Sequence, residues 1–330
     1  MSHLRYDVTT HDWVLFAPER ARRPHDIQIS PECGIEASAC PFCPDNEGDT
    51  HSELLRIDDP DLPGAWSVRV VANKFPALTL EAGRGFIERG RHFQEFDGYG
   101  AHEVIIESPD HLRPMALQSP AQIERVLAAL QTRYRVLMLD PRIRSIILFK
   151  NHGAPAGTSL RHPHWQIIAT PLVPHLLRQK HAIATDYLDR EFKCLHIVLL
   201  NEELSAGSRV LAQNDAFVAL LPYASHLPYQ VRILPRVFQA SFSLATADEL
   251  ALLAALLKEV LGRLHIVLGD PAFNLTLVSP PIGDKDYFLW HIDILPRLFI
   301  PAGFEMGSGM SINTVVPEDA AGELRAAILP

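Results

Sequence analysis

The sequence predicts an α+β fold built from two tandem units, each a mainly antiparallel sheet with packed helices. Three observations predict it. A strand–helix–strand–strand pattern occurs twice at matching spacing. Hairpin-like links join the last two strands of each unit, which favours antiparallel or mixed pairing. Each unit's helix opens with capping chemistry. At 330 residues the chain can form one large domain or two ordinary ones. The repeat divides it into residues 1–175 and 176–330.

In the first unit, HEVIIESP (102–109) reads as a strand followed by a turn. A helix then starts, with Ser119 as N-cap, Pro120 at the first helical position and Gln122 closing a capping box. Ile123, Val126, Leu127, Leu130 and Tyr134 give that helix an apolar face. RSIILF (144–149) is the next strand, and RHPHWQIIATP (161–171) the last. In the second unit, YQVRILP (229–235) is a strand and TADE a capping box from Thr246 to Glu249. LALLAALLKEVL continues the helix, and FNLTLV (273–278) and LWHIDILP (289–296) are the closing strands. Val104 and Ser119 stand 15 positions apart, as do Val231 and Thr246. From Ser119 to His162 is 43 positions and from Thr246 to His291 is 45, which matches His291 and Asp293 to His162 and His164.

The composition, 47% apolar and 21% charged, is that of a globular protein. No apolar run approaches the roughly 20 residues of a membrane span, and the opening MSHLRYDVTTHDW lacks a secretory core. The expectation is a cytosolic protein. A formal net charge of −9 argues against non-specific nucleic-acid binding. Four cysteines in so long a chain do not make a disulfide scaffold. Cys33 and Cys194 read as small core hydrophobes.

Three stretches carry chemistry. In RHPHWQIIATP, alternation puts His162, His164 and Gln166 on one face, with neighbours roughly 6–7 Å apart. Such groups destabilise a buried strand unless they find partners. Neutral imidazole is a nucleophile, and a glutamine amide can donate to a developing oxyanion. In ACPFCPDNEGDT (39–50), Cys40 and Cys43 form a Cys-x-x-Cys. A redox motif would begin a helix at the first cysteine; the Pro, Asn and Gly that follow instead make turns and favour a zinc knuckle completed by ligands from elsewhere. Sixteen histidines are available, among them His162 and His111. In NHGAPAGTS (151–159), Gly153 and Gly157 permit close approach of a phosphate, with Thr158 and Ser159 supplying hydroxyls; an ordinary connecting loop fits that stretch as well. Arg20, Arg22 and Arg23 in PERARRPHD (18–26) suit phosphate recognition or a solvated surface.

These pieces together resemble the galactose-1-phosphate uridylyltransferase family, a branch of the histidine-triad superfamily. RARRP, CPFCP, VVANKFPAL, SPDH, NHGAPAGTSLRHPHWQ and AGFEM occur in the family's order over nearly the whole length. The resemblance implies two histidine-triad-like domains, the first (1–175) with the zinc knuckle and catalytic strand, the second (176–330) degenerate. It implies a nucleotidylyltransferase that exchanges hexose 1-phosphate on a nucleoside-diphosphate sugar. His164 would be the nucleophile, Gln166 would hold a phosphoryl oxygen, and Ser159 would contact the leaving sugar phosphate. Asn73, Asn151, Arg20 and Arg23 would contact the nucleotide, beside Gly157 and Thr158 of the loop. It assigns one zinc to Cys40, Cys43, His111 and His162, and a homodimer as the assembly.

The departures bear on substrate. Of the family's second metal site only His291 is matched, with Asp293 in place of another histidine, so one metal per chain is expected. Gly303, Phe304, Glu305 and Met306 match the region that handles the hexose phosphate, but Phe299 stands where lysine is expected and Ser311 where glutamine is. GFEMGSGMSINTVVPED resembles the ADP-glucose phosphorylase branch, in which phosphate accepts an adenylyl group. UDP-glucose–hexose-1-phosphate uridylyl transfer is therefore the first reading and an ADP-glucose phosphorylase-like reaction the second. A nucleotide sensor without turnover and a zinc-stabilised interaction module are the readings from other classes.

Overall fold

Each alternating run becomes a strand, and ten of the strands join in one antiparallel sheet. The computed structural model describes residues 2–22, 35–83, 85–89, 91–283 and 287–329. Arg23 and Cys33 lie outside the described residues. The strands are β1 (His3–Asp7), β2 (Asp12–Phe16), β3 (Glu53–Asp58), β4 (Trp66–Ala72), β5 (Phe86–Arg89), β6 (Phe93–Phe96), β7 (Ala101–Ile106), β8 (Ser145–His152), β9 (His164–Thr170), β10 (Val210–Gln213), β11 (Phe217–Leu220), β12 (Val231–Pro235), β13 (Phe273–Val278), β14 (His291–Pro296) and β15 (Ile312–Asn313). The helices are α1 (Pro120–Leu137), α2 (His175–Glu191), α3 (Leu195–Ala206), α4 (Ala247–Leu268), α5 (Gly303–Ser308) and α6 (Pro317–Ala326).

The large sheet runs β10-β11-β12-β14-β13-β8-β9-β7-β4-β3. Read outward from its centre the order is the same on both sides: β8-β9-β7-β4-β3 one way and β13-β14-β12-β11-β10 the other. The expected repeat is thus two half-sheets, joined at a seam where Leu148 opposes Leu277 and Lys150 opposes Leu275. Close approach at the seam explains Gly153. Its φ is +80°, and a Cβ there would lie 2.7 Å from the Ala272 Cβ.

One face of the sheet carries α1 and α4, packed on each other over a core that includes Val70, Ile105, Leu148, Trp165, Leu275 and Ile292. The alternate residues Val71, Val104 and Ile106 point to the other face, where they meet Cys40, Phe42 and Cys43. In the C-terminal half that face is covered by α3, through Leu200 against Val218, Leu220 and Leu234. A second sheet, β1-β2-β15, ties the start of the chain to its C-terminal segment through a parallel pairing of Leu15 with Ile312.

Thr246 and Glu249 form the expected capping box. At α1 the expectation holds only by half. Ser119 Oγ accepts from the Gln122 N–H at 3.2 Å, but the Gln122 side chain does not return the bond. Its amide nitrogen donates to the carbonyls of Ser67 (2.9 Å) and Glu107 (2.5 Å), and its oxygen accepts from Ser67 Oγ at 2.7 Å. Two buried strand carbonyls outcompete an exposed N-cap amide, because they have no solvent to turn to. Among the described residues no helix is long and apolar enough to cross a membrane.

Candidate active site

The segment after β2 carries a 3-10 turn, Ala37–Ala39, and then a tight turn in which the Cys43 N–H donates to the Cys40 carbonyl at 3.1 Å. Asn46 fastens the turn by donating to the same carbonyl at 2.9 Å, and Trp66 Nε1 on β4 donates to Glu47 Oε1 at 2.9 Å. No helix begins at Cys40, and both thiols are free, so the redox arrangement is not built. His111, from the turn after β7, and His162, just before β9, complete a group whose ligand atoms all lie within 4.8 Å of one another. Cys43 Sγ is 3.2 Å from His111 Nδ1 and 3.5 Å from His162 Nδ1; Cys40 Sγ is 3.8 Å from His162 Nδ1. For sulfur and nitrogen ligands around one tetrahedral zinc, such an edge is about 3.6 Å. Both imidazoles use the other nitrogen on a backbone carbonyl: His162 Nε2 donates to Ser108 O at 2.8 Å and His111 Nε2 to Ile35 O at 3.0 Å. That outer bond presents Nδ1 as the ligand atom. Burial, and then the neighbouring Cys40, push the Cys43 thiol up to about 11. Burial pushes His162 down to about 4, so it is a neutral ligand at pH 7. Two thiols and two imidazoles this close together can hold one metal ion.

β9 starts at His164, which is 5% exposed. Its Nδ1 lies 2.8 Å from the carbonyl oxygen of His162. A carbonyl only accepts, so Nδ1 carries the proton and the lone pair sits on Nε2. Burial, which outweighs the carbonyl bond, pushes this histidine down to about 4, and the Lys150 ammonium adds to the effect. The ring is therefore neutral and nucleophilic at pH 7. Phe42 meets it edge-on, with centroids 5.3 Å apart. Below the strand, Lys150 and Glu107, both fully buried, pair at 2.5 Å.

His164, Gln166, Ser159 and Asn73 line one cavity of about 520 Å³, walled by Phe42 and Phe75. Such a volume is in the range of small-molecule sites. Asn151 and Thr158 face a neighbouring polar cavity of about 310 Å³ that also borders His162. The Thr158 hydroxyl is spent on the Leu160 carbonyl at 2.9 Å, and Asn151 accepts from Asn274 of β13 at 2.8 Å. Gly157 closes the Ala154–Ala156 turn in the left-handed region, at φ +85°. Arg20 is exposed on a 3-10 turn and does not line either cavity. Phe304 and Glu305 sit on α5, away from both, and the Glu305 carboxylate caps its own helix by accepting from the Ala302 N–H at 3.0 Å.

Two contributors went unnoticed in the sequence. Phe42 lies inside the Cys-x-x-Cys and reads there as a spacer. His102 opens β7 and contacts Gln166 at 2.8 Å. Its only signal is a polar group on the same strand face as Val104 and Ile106.

The second half needs a correction of register. His291 Nδ1 lies 3.1 Å from the Leu289 carbonyl, two residues back, as His164 does from His162. His291 therefore corresponds to His164 and Asp293 to Gln166, not to His162 and His164. His164 also stands 45 positions after Ser119, the spacing from Thr246 to His291. Positive charge at this second position comes from protein: Arg232 clasps Asp293 with two bonds of 2.7 and 2.9 Å.

Comparison with known proteins agrees with this geometry. A family model described as galactose-1-phosphate uridyl transferase, N-terminal domain, matches residues 1–174. An ADP-glucose phosphorylase of Arabidopsis thaliana is 34% identical over 98% of this chain and 92% of its own. A galactose-1-phosphate uridylyltransferase of Thermotoga maritima is 26% identical over 98% of both chains. The crystal structure of an ADP-glucose phosphorylase from Arabidopsis thaliana with bound ADP-glucose superposes with a TM-score of 0.86, at 30% identity and full coverage of both chains.

Proposed function

The chain belongs to the galactose-1-phosphate uridyl transferase family and is a nucleotidylyltransferase; from that premise we propose that His164 carries a nucleotidyl group from a nucleoside-diphosphate hexose to a phosphate acceptor. The observation that carries the reading is the bond from His164 Nδ1 to the His162 carbonyl, which leaves the Nε2 lone pair on a ring that lines the cavity. In the first step Nε2 attacks the α-phosphorus, the P–N bond forms, and the bond to the hexose 1-phosphate oxygen breaks. In the second, an acceptor phosphate oxygen attacks the same phosphorus and the P–N bond breaks. Splitting one transfer into two displacements is the advantage of a covalent nucleophile. Gln166 holds a non-bridging oxygen, Ser159 the phosphate of the leaving group, and Asn73 the nucleotide.

Cys40, Cys43, His111 and His162 hold a zinc ion with a closed set of ligands, which supplies rigidity rather than a reacting position. Fixing His162 also fixes the carbonyl that sets the His164 tautomer. In this reading residues 1–175 hold the chemistry and 176–330 are the degenerate twin. Phe304 and Glu305 do not line the cavity within one chain; in the homodimer that the family resemblance implies, a second copy could bring them to the hexose phosphate.

Uridylyl transfer to a hexose 1-phosphate and adenylyl transfer to phosphate use the same groups. The identity of 34% with an ADP-glucose phosphorylase, against 26% with a uridylyltransferase, favours the second, as do Phe299 and Ser311. Supplying each nucleotide sugar with each acceptor tests this. The expected result is release of glucose 1-phosphate and ADP from ADP-glucose plus phosphate. Turnover confined to UDP-glucose plus galactose 1-phosphate restores the uridylyl reading, and no hexose 1-phosphate from either pair refutes both.

A further inference from the structure

We propose that His102 is a positioning residue that turns the Gln166 amide so that its N–H groups, and not its oxygen, face the phosphoryl group; the proposal rests on the reading of His164 as nucleophile. Its ground is a chain of donors that begins at a backbone N–H. The backbone N–H of Ala77 points at His102 Nδ1 at 3.1 Å. A backbone N–H only donates, so Nδ1 carries the lone pair and Nε2 the proton. His102 Nε2–H then lies 2.8 Å from Gln166 and must meet an acceptor, so the near atom is Oε1 and the amide nitrogen is turned away. Gln166 is half-buried and lines the cavity, and no partner for its nitrogen occurs among the described residues. With the amide flipped, two donors would face each other at His102 and an oxygen would face the anionic phosphate.

Asn73 is oriented by the same logic. Its Oδ1 accepts from the Phe75 N–H at 2.8 Å, which turns its amide nitrogen toward His102 Nε2 at 3.1 Å, and the side chain lines the cavity. His102 itself does not line the cavity and acts through Gln166. The pairing of β7 with β9 sets this contact, since Val104 opposes Gln166 and His102 lies two residues away on the same face.

The test is a double-mutant cycle on the full metal-loaded chain, read as the single-turnover rate of nucleotidyl transfer to His164. In His102→Asn the side-chain oxygen can still accept from Ala77, but the donor to Gln166 is gone; His102→Gln restores a donor near the Nε2 position. Losing one oriented oxyanion donor outright costs ~10²–10³ in rate. His102→Asn, which leaves the amide free to flip, is expected to slow the step about tenfold with substrate KM within about twofold. His102→Gln is expected to recover most of that loss. In a Gln166→Ala background, His102→Asn is expected to add nothing. Additive losses, or an effect on melting temperature alone, would overturn the proposal. Nitrogen NMR of the histidine side chains reads the tautomer without turnover. A protonated Nε2 on His102 is expected, and a protonated Nδ1 would overturn the proposal even in a chain that never forms the adduct. A wild-type chain with no adduct would instead strike the function on which this rests.

Discussion

His164 and His291 stand at the head of matching strands, β9 and β14, one on each side of the seam between the half-sheets. Each gives its Nδ1 proton to the carbonyl two residues back. Two residues on, the first has Gln166 and the second Asp293. Around the first, the backbone opens into a cavity of about 520 Å³ beside a cluster fit for a metal. Around the second the ring is 0% exposed, its Nε2 has no hydrogen-bond partner, and Asp293 is locked to Arg232. Burial raises the Asp293 carboxyl, but Arg232, His291 and Lys180 together outweigh it and hold the group well below the usual carboxylate range. The same tautomer in the same posture is thus not by itself sufficient for the chemistry proposed for His164. A nucleophile for phosphorus also needs room, and a neighbour that donates to phosphate oxygen where a carboxylate would repel it.

The comparison breaks most visibly at the Cys40, Cys43, His111 and His162 cluster, which among the described residues has no counterpart in the C-terminal half. Bound zinc contributes on the order of 10 kcal/mol to a fold that needs it. Chelation, or Cys43→Ala, is expected to lower the melting temperature steeply and to abolish transfer, with recovery on adding back zinc to the wild type only. A chain that melts alike with and without chelator would deny the cluster its structural role.

Next in size is His164, the proposed nucleophile. His164→Gly is expected to lose at least ~10³-fold in transfer rate, since glycine leaves no lone pair at that place in the cavity. His291→Gly is expected to keep kcat within about threefold while losing stability, because it opens a cavity in packed surroundings. Equal losses in activity would mean that the second half takes part in the reaction.

Arg232→Met alone strands the buried Asp293 charge, and breaking such a pair costs about 3–5 kcal/mol. Arg232→Met with Asp293→Leu is expected to recover most of that loss in denaturant melts. If the double variant is no better than the single, the pair is doing something other than balancing charge.

The smallest effect is on pH. Burial pushes His196, which stacks on His291 with centroids 5.7 Å apart, down to about 3. Unfolded, it titrates near 6.5. Between those values the unfolded chain binds a proton that the folded chain refuses, so this contribution to stability is complete above about pH 6.5 and is lost as pH falls toward 3. His196→Leu is expected to flatten the fall of melting temperature across that window, to which His162, His164 and His291, all pushed down by burial, also contribute. An unchanged slope would contradict the burial argument.

These contrasts show what could be read from residues alone. The strand–helix–strand–strand run of each unit was legible because alternation and capping are local: FNLTLV is β13 to the residue, and Thr246 and Glu249 close their box. The gathering of Cys40, Cys43, His111 and His162 into one cluster was legible through the resemblance, and the His164 strand through alternation. Pairings between distant segments were not. Nothing local marks β8 as the neighbour of β13, β15 as the parallel partner of β2, or α3 as the cover of the second half's open face. Gln122 illustrates the limit from the other side. Its position fits a capping box, but Ser67 and Glu107, 55 and 15 residues away in sequence, claim its side chain. His102 was missed for the same reason, since its meaning depends on β9 lying beside β7.

The most direct test of the difference between the two histidines is mass spectrometry of the protein after brief exposure to mixed ADP- and UDP-sugars, with peptide mapping of the acid-labile adduct. The expected result is one nucleotidyl group on the peptide that contains His164, absent in His164→Gly and unchanged in His291→Gly. An adduct on any other residue, or none in a zinc-loaded chain that still turns over, would contradict the account.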